Sequence, residues 1–379
     1  MEQAKRPDVG CYYFPNYHFN DSRNAAVHGA GWSEWELVKA MTPRFPGHRQ
    51  PKRPLLGYTD ESDPAVMARK IQDATKHGVD YFIFDYYYYD DGPFLENCLN
   101  DGFLKAPNVG DLKFALMWAN HDWLDIHPCS RRSRPLLYPG VVRPETFRRL
   151  CARTIERYFR HPSYYCIDGA PYFSIYHLEC LLSSFGSVEA TAAALREFRE
   201  EVRRAGFPDL HLNLVVWGRP VLPGERELAD QPRVVRELGF DSVTSYVWIH
   251  HLSLGKEPEF DYLRAMEIYF DHWEKMCRDY TQPYFPNVTV GWDPSPRTIP
   301  TEKWEPVGYP YTPVLSGNTP EHFERALREC ARRMAEKGCR TFNINCWNEW
   351  TEGSMLEPEE EFGYGYLEAL KRVFGSRCR

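Results

Sequence analysis

No uncharged apolar stretch in the 379 residues approaches the roughly 18 that a membrane helix requires, so a spanning helix is not expected. The opening "MEQAKRPDVG" has no apolar core of a signal peptide, and a cytoplasmic location is expected on that basis. Eleven cysteines are present, an odd number without a C-x-x-C pair or zinc-ligand spacing, which points to free thiols in a reducing compartment. Positive charge is not in excess either. The net charge of −7 provides no global field for nucleic acid, and the short "CSRRSRP" at 129–135 reads as a solvated loop. There is no H-E-x-x-H, and His177-Leu178-Glu179 lacks the downstream P-C-x-x-C of zinc deaminases. No metal and no cofactor are therefore expected. No Gly-rich turn follows the first apolar run, which argues against a dinucleotide-binding sheet. No Asp-x-Asp is present to hold a nucleotide diphosphate through a cation, which weakens a metal-dependent glycosyltransferase and leaves a metal-independent one open. Internal repeats and low-complexity linkers are also missing, so residues 1–379 are read as one domain.

What the chain has in plenty is aromatic rings: 15% of residues, with 11 Trp, 24 Tyr and 22 Phe. Some must form core. Flat rings with a polar edge also suit a cleft for sugars, so carbohydrate is the expected partner.

Apolar runs recur at 9–14, 79–88, 113–119, 171–177, 211–217, 241–248, 287–292 and 341–347. Helical patterns lie between them, near 64–76, 144–160, 188–205, 231–238, 261–279, 320–337 and 359–373, with a weak one within 93–106. Eight alternations predict an α/β fold of the (β/α)8 TIM-barrel type. Helix-to-strand joins are tight and contain glycine, as in "HGVD", "LGFD" and "KGCR". Strand-to-helix joins are long: 15–63, 120–143 and 293–319. The extra chain thus gathers at the C-terminal mouth, where barrel enzymes place their sites.

Side chains expected at that mouth are Tyr13 and Tyr17 from the first unit, with Trp35 in its long loop, and Asp85 with the run Tyr86 to Tyr89 from the second, Tyr86 and Tyr88 being the candidate substrate contacts. "NHDW" gives Asn120, His121 and Asp122; Trp217, Tyr246, Trp248, Trp292, Asn348 and Trp350 follow. Plain alternatives exist: tyrosines that only pack, an Asn or Asp capping a turn, and His250-His251 as loop surface. "NCWNEWTEG" at 345–353 stands apart, because Glu349 and Glu352 lie three apart just beyond a strand. On a turn that spacing brings side chains within about 5–6 Å. Burial among rings raises a carboxyl pKa, and two close carboxyls push their values apart, which gives one acid and one base. Such a pair suits glycosidic cleavage, with retention at short separation. The alternative is a capping or salt-bridging pair.

"YYFPNYH", "GWSEWELVKAMTPRFPGHRQPKRPLLGYTDESDP", "FALMWANHDW" and "NINCWNEWTEG" resemble the WbsX-type proteins over nearly the whole chain. "WNEWTEG" and the last strand also resemble the (β/α)8 endo-α-mannosidases of glycoside hydrolase family 99. That resemblance implies Glu352 as the acid that protonates the leaving group. It implies Glu349 as the base on the sugar's 2-hydroxyl, which attacks the anomeric carbon to form an anhydro-sugar with overall retention. A manno- or rhamno-configured α-glycoside is the substrate class to consider first. WbsX-type proteins also resemble surface-polysaccharide glycosyltransferases, the alternative activity.

Overall fold

The computed structural model describes residues 6–221, 225 and 228–375. Each apolar run forms a strand where the sequence predicts one. They are Asp8–Tyr13, Tyr81–Tyr89, Lys113–Trp118, Ala170–Ile175, His211–Val215, Ser242–Thr244, a seventh in two pieces (Tyr284–Phe285 and Asn287–Thr289), and Thr341–Asn345. All neighbours pair in parallel, with the first strand between the second and the eighth. The seventh is divided because Pro286 has no N–H to give to a ladder. Its first piece pairs with the sixth strand and its second with the eighth, so the broken strand joins the two ends of the sheet. The fold is a (β/α)8 barrel.

Helices Pro64–Lys76, Pro144–Thr154, Val188–Arg204, Gln231–Leu238, Tyr262–Asp279, Pro320–Lys337 and Gly365–Phe374 pack around it. The weak pattern within 93–106 is a π-helical turn, Cys98–Phe103. Two termini follow simple chemistry. Asp63 caps the Pro64 helix by accepting the Ala65 amide, with proline at the first turn. Gly338 ends the Pro320 helix in the left-handed region, at φ 67°. No helix among the described residues is long and apolar enough to cross a membrane.

The lower interior of the barrel is polar rather than aliphatic. Ser174 donates to Asn213, Asn213 to Ser242, and Asn343 to Thr244, each at 2.8 Å. Tyr81 lies flat on Tyr165, with centroids 3.8 Å apart and ring planes within 3°. The Tyr81 ring passes so close to Gly10 that a Cβ there would stand 2.6 Å from it, so only glycine fits. Behind the eighth strand sits a buried ion triad. Lys70 reaches Glu61 at 2.6 Å and Glu357 at 2.7 Å, tying the first long loop to the segment after the last strand.

Lys70→Met would leave Glu61 and Glu357 buried without their cation. The expected cost is about 3–5 kcal/mol, read as a lower midpoint in chemical denaturation.

Candidate active site

The three long mouth loops meet over the open end of the barrel, and each contributes to one network of charged and titratable side chains. Arg297, from the loop after the seventh strand, donates Nε to Glu34 Oε1 at 2.8 Å. Glu34, from the loop after the first, also accepts from Asn16 at 2.8 Å and from Thr351. His127, from the loop after the third, stands 3.8 Å from Glu34. The Arg297 guanidinium then reaches both glutamates that follow the eighth strand: Glu352 Oε1 at 2.5 Å and Glu349 Oε2 at 3.3 Å. Its Cζ lies 5.4 Å from the centre of the Phe14 ring.

The two glutamates are held differently. Arg297 and the Tyr309 hydroxyl (2.7 Å) both donate to the same oxygen of Glu352, which leaves Oε2 as the one able to carry a proton. Glu349 is held loosely at both oxygens, with Tyr246 OH 3.3 Å from Oε1. Tyr246 lies closer to Asp85, at 3.0 Å. A phenol has one proton to give. Donated to Asp85, it lets the phenol oxygen accept from a protonated Glu349. Asp85 Oδ1 has no partner among the described residues, although its carboxyl is buried and lines the cleft.

The electrostatics agree with this geometry. Burial, reinforced by the neighbouring Glu352, pushes Glu349 well above the ordinary carboxylate range. Burial also raises Glu352, but Arg297 and Tyr309 pull it part of the way back. Burial pushes Asp85 well up. Glu34 goes the other way: burial acts to raise it, and Arg297, His127 and Thr351 together outweigh that, so it stays charged. Burial lowers His127 to about 4 and lowers His121, which keeps both rings neutral near pH 7. Arg297 and Glu34 thus form a charged pair, beside a cluster of three carboxyls that holds on to protons.

Around this centre lies a cleft lined largely by rings. Of the residues expected from sequence, Asp85, Tyr87, His121, Asp122, Tyr246, Trp292, Glu349 and Glu352 line it. The others are turned elsewhere, mostly by strand alternation. Asp85 and Tyr87 face the cleft, so Tyr86 and Tyr88 face the helices; the Tyr86 hydroxyl accepts from Arg153. Tyr13 likewise points outward, its ring 4.8 Å from Phe84 and its hydroxyl on Met67. Tyr17, Trp35 and Trp350 pack on one another behind the site, with indole donors on Thr59 O and Glu357. Asn120 bonds both ways with the His177 backbone. Trp248 donates to Asn287 O within the core, and Trp217 packs between Tyr176 and His250. Asn348 clamps the Phe14 N–H and C=O and reaches Glu61 at 2.9 Å, fixing the strand that carries Glu349. His250 and His251 are not loop surface. Both are buried, His250 against the cleft and His251 on Ser245.

Sequence reasoning missed Arg297, Glu34, Tyr309, His127, Phe14 and Tyr176. Tyr87 falls within the tyrosine run expected at the mouth, and only the parity it shares with Asp85 separates it from its neighbours; Phe14 has a like signal in the parity it shares with Tyr12. Arg297, Glu34, His127 and Tyr309 have none beyond membership of a long mouth loop.

The family described as Glycosyltransferase WbsX matches residues 9–370. Two curated relatives from strains of Xanthomonas campestris pv. campestris, each named "Uncharacterized protein WxcX", are 28% and 27% identical over 377 residues. These matches cover 96% of this chain and 49% of theirs. The chain therefore spans about half the length of the curated relatives it matches. Among solved structures, the GH99 endo-alpha-mannosidase from Bacteroides thetaiotaomicron aligns with a TM-score of 0.59 at 16% identity, covering 96% of both chains. A protein titled "Glycoside hydrolase-like protein" aligns at 0.62 and 15% identity, covering 99% of this chain and 95% of its own. At such identities the likeness is one of fold.

A carboxyl whose pKa is raised on folding stabilises the fold fully below its unfolded value and loses that contribution as pH rises through the folded value. Glu349→Gln removes that loss. The variant should therefore unfold at a higher temperature than the parent at pH 8, with the difference shrinking towards pH 4, as followed by calorimetry.

Proposed function

The chain belongs to the WbsX glycosyltransferase family, and on that footing we propose that it is a retaining glycoside hydrolase acting on an α-linked oligosaccharide or polysaccharide, manno- or rhamno-configured. The observation that carries this reading is the pair Glu349 and Glu352, sharing one guanidinium in a ring-lined cleft at the barrel mouth. Glu352 is the acid: its Oε2, free of Arg297 and Tyr309, protonates the departing glycosidic oxygen. Glu349 is the base: loosely held, it takes the proton of the sugar's 2-hydroxyl as that oxygen closes on the anomeric carbon. Water then opens the anhydro-sugar, giving a proton to Glu352 while Glu349 returns one to the 2-oxygen. Two inversions at carbon give net retention.

Burial raises both glutamates, and Arg297 and Tyr309 offset part of the rise at Glu352. A hydroxyl donating to Glu349 favours its charged form, and the shared proton then passes to Glu352. Substrate thus sets the acid and base roles of a pair that titrates together.

The family description favours a second reading, a glycosyltransferase. Charge weighs against it. Asp85, Asp122, Glu349 and Glu352 line the cleft, and Arg297 is already engaged by Glu34. A nucleoside diphosphate would find no unengaged arginine or lysine among the described residues that line the cleft. Calorimetric titration with nucleotide sugars separates the two, since saturable binding of a nucleoside diphosphate would favour the transferase.

Hydrolysis should be sought on synthetic aryl α-mannosides and α-rhamnosides, with product stereochemistry followed by NMR. Glu352→Ala should cut turnover about 10²–10⁴-fold on a poor leaving group and far less on an activated one. Equal losses on both would remove the acid role. The kcat/KM profile of the parent should be bell-shaped in pH.

A further inference from the structure

Trp32 lies in the first mouth loop, two residues before Glu34, and is half-buried where most tryptophans of the chain are fully buried. Its ring stacks on that of His28, itself half-buried, with centroids 4.1 Å apart and planes 25° apart. Among the described residues no hydrogen bond occupies the Trp32 indole N–H, so a stacked pair of rings and a donor both meet solvent. This pair is not isolated. Trp32 and His28 stand edge-on to His127, at 6.2 and 6.3 Å. His127 lines the cleft and lies parallel to Trp123 within 13°, at 5.2 Å. Trp123 is within 24° of parallel to His121, at 6.5 Å. An unbroken run of rings therefore leads from His121, inside the cleft, out to Trp32 at its rim. Asp125 lies near enough to act on His28 electrostatically and adds an acceptor for hydroxyl groups.

We propose that Trp32 and His28 form an outer sugar subsite, continuous with the cleft through His127. On this assignment the protein grips an extended saccharide chain at two points rather than a single terminal residue, and cuts within or near the end of a polymer. The inference rests on the carbohydrate reading given above. The chemistry is that of an amphipathic ring system: the apolar face of a pyranose lies on the indole, while its hydroxyls meet the indole N–H and Asp125. His127 also touches the Glu34 end of the charged network, so a sugar at the rim and one at the glutamates would lie against the same imidazole from two sides.

The test is binding in the Glu352→Gln background, where hydrolysis is suppressed. The probes are α-linked manno-, rhamno-, gluco- and galacto-oligosaccharides of two and four residues. With at least one sugar series, the four-residue member should bind more tightly than the two-residue member. Adding Trp32→Ala should reduce that length preference roughly five- to ten-fold, the scale of one aromatic stacking contact. Trp32→Phe should restore most of it, and His28→Ala should weaken it in the same direction. Equal binding of both lengths, or a length preference untouched by Trp32→Ala and His28→Ala, would overturn the subsite and leave the hydrolase reading in place. Failure of every series to bind at either length would end the carbohydrate reading, and the subsite with it.

Discussion

Four carboxyl groups (Glu34, Asp85, Glu349 and Glu352) crowd the mouth of this barrel, nearly all out of water, and one guanidinium stands among them. Without a cation they could not be ionised together, because burial and mutual repulsion both favour the neutral form. Arg297 resolves this unevenly. Its Nε contact leaves Glu34 charged, and its short contact with Glu352 and long contact with Glu349 distinguish those two glutamates. The mouth loops are arranged around that distinction. Asn16, Thr351 and His127 hold Glu34, Tyr309 braces Glu352, and Cys129 donates its amide to the Arg297 carbonyl at 2.6 Å.

Beneath the charged layer the barrel is filled in an unusual way. Branched aliphatics are the common filling of such barrels. Here Ser174, Asn213, Ser242, Thr244 and Asn343 hydrogen-bond across strands four, five, six and eight, and Tyr81 lies over Gly10. A buried polar network is tolerable only when its members are satisfied, and it then fixes strand register more sharply than interchangeable aliphatics do. That register decides which side chains of the eighth strand and its extension reach the mouth. The Lys70 triad and the Asn348 clamp serve the same end from outside the barrel.

The sequence carries the architecture well, because each strand is an apolar run bounded by helix signals and the long joins all fall on one side. It carries the glutamate pair for the same reason: the pair directly follows the last run. It carries the orientation of the tyrosines poorly. Every residue of Tyr81–Tyr89 is buried, so no alternation of polar and apolar residues separates the cleft face from the helix face, and Tyr87 cannot be told from Tyr86 or Tyr88 by composition. Arg297 was hidden for another reason. It lies 55 residues before Glu352 and 263 after Glu34, and nothing local marks a loop arginine as the partner of acids so distant. Long-range charge pairing is a property of the folded loops, not of any window of sequence.

The interlocking of the three loops has a consequence for recombination with relatives. Glu34, His127 and Arg297 lie far apart along the chain yet meet at one point. A chimera with a single junction anywhere between residues 34 and 297 would take the anion from one parent and the cation from the other. Barrel halves that fold soundly by themselves would then meet with mismatched charge at the mouth, unless both parents had settled on the same pairing.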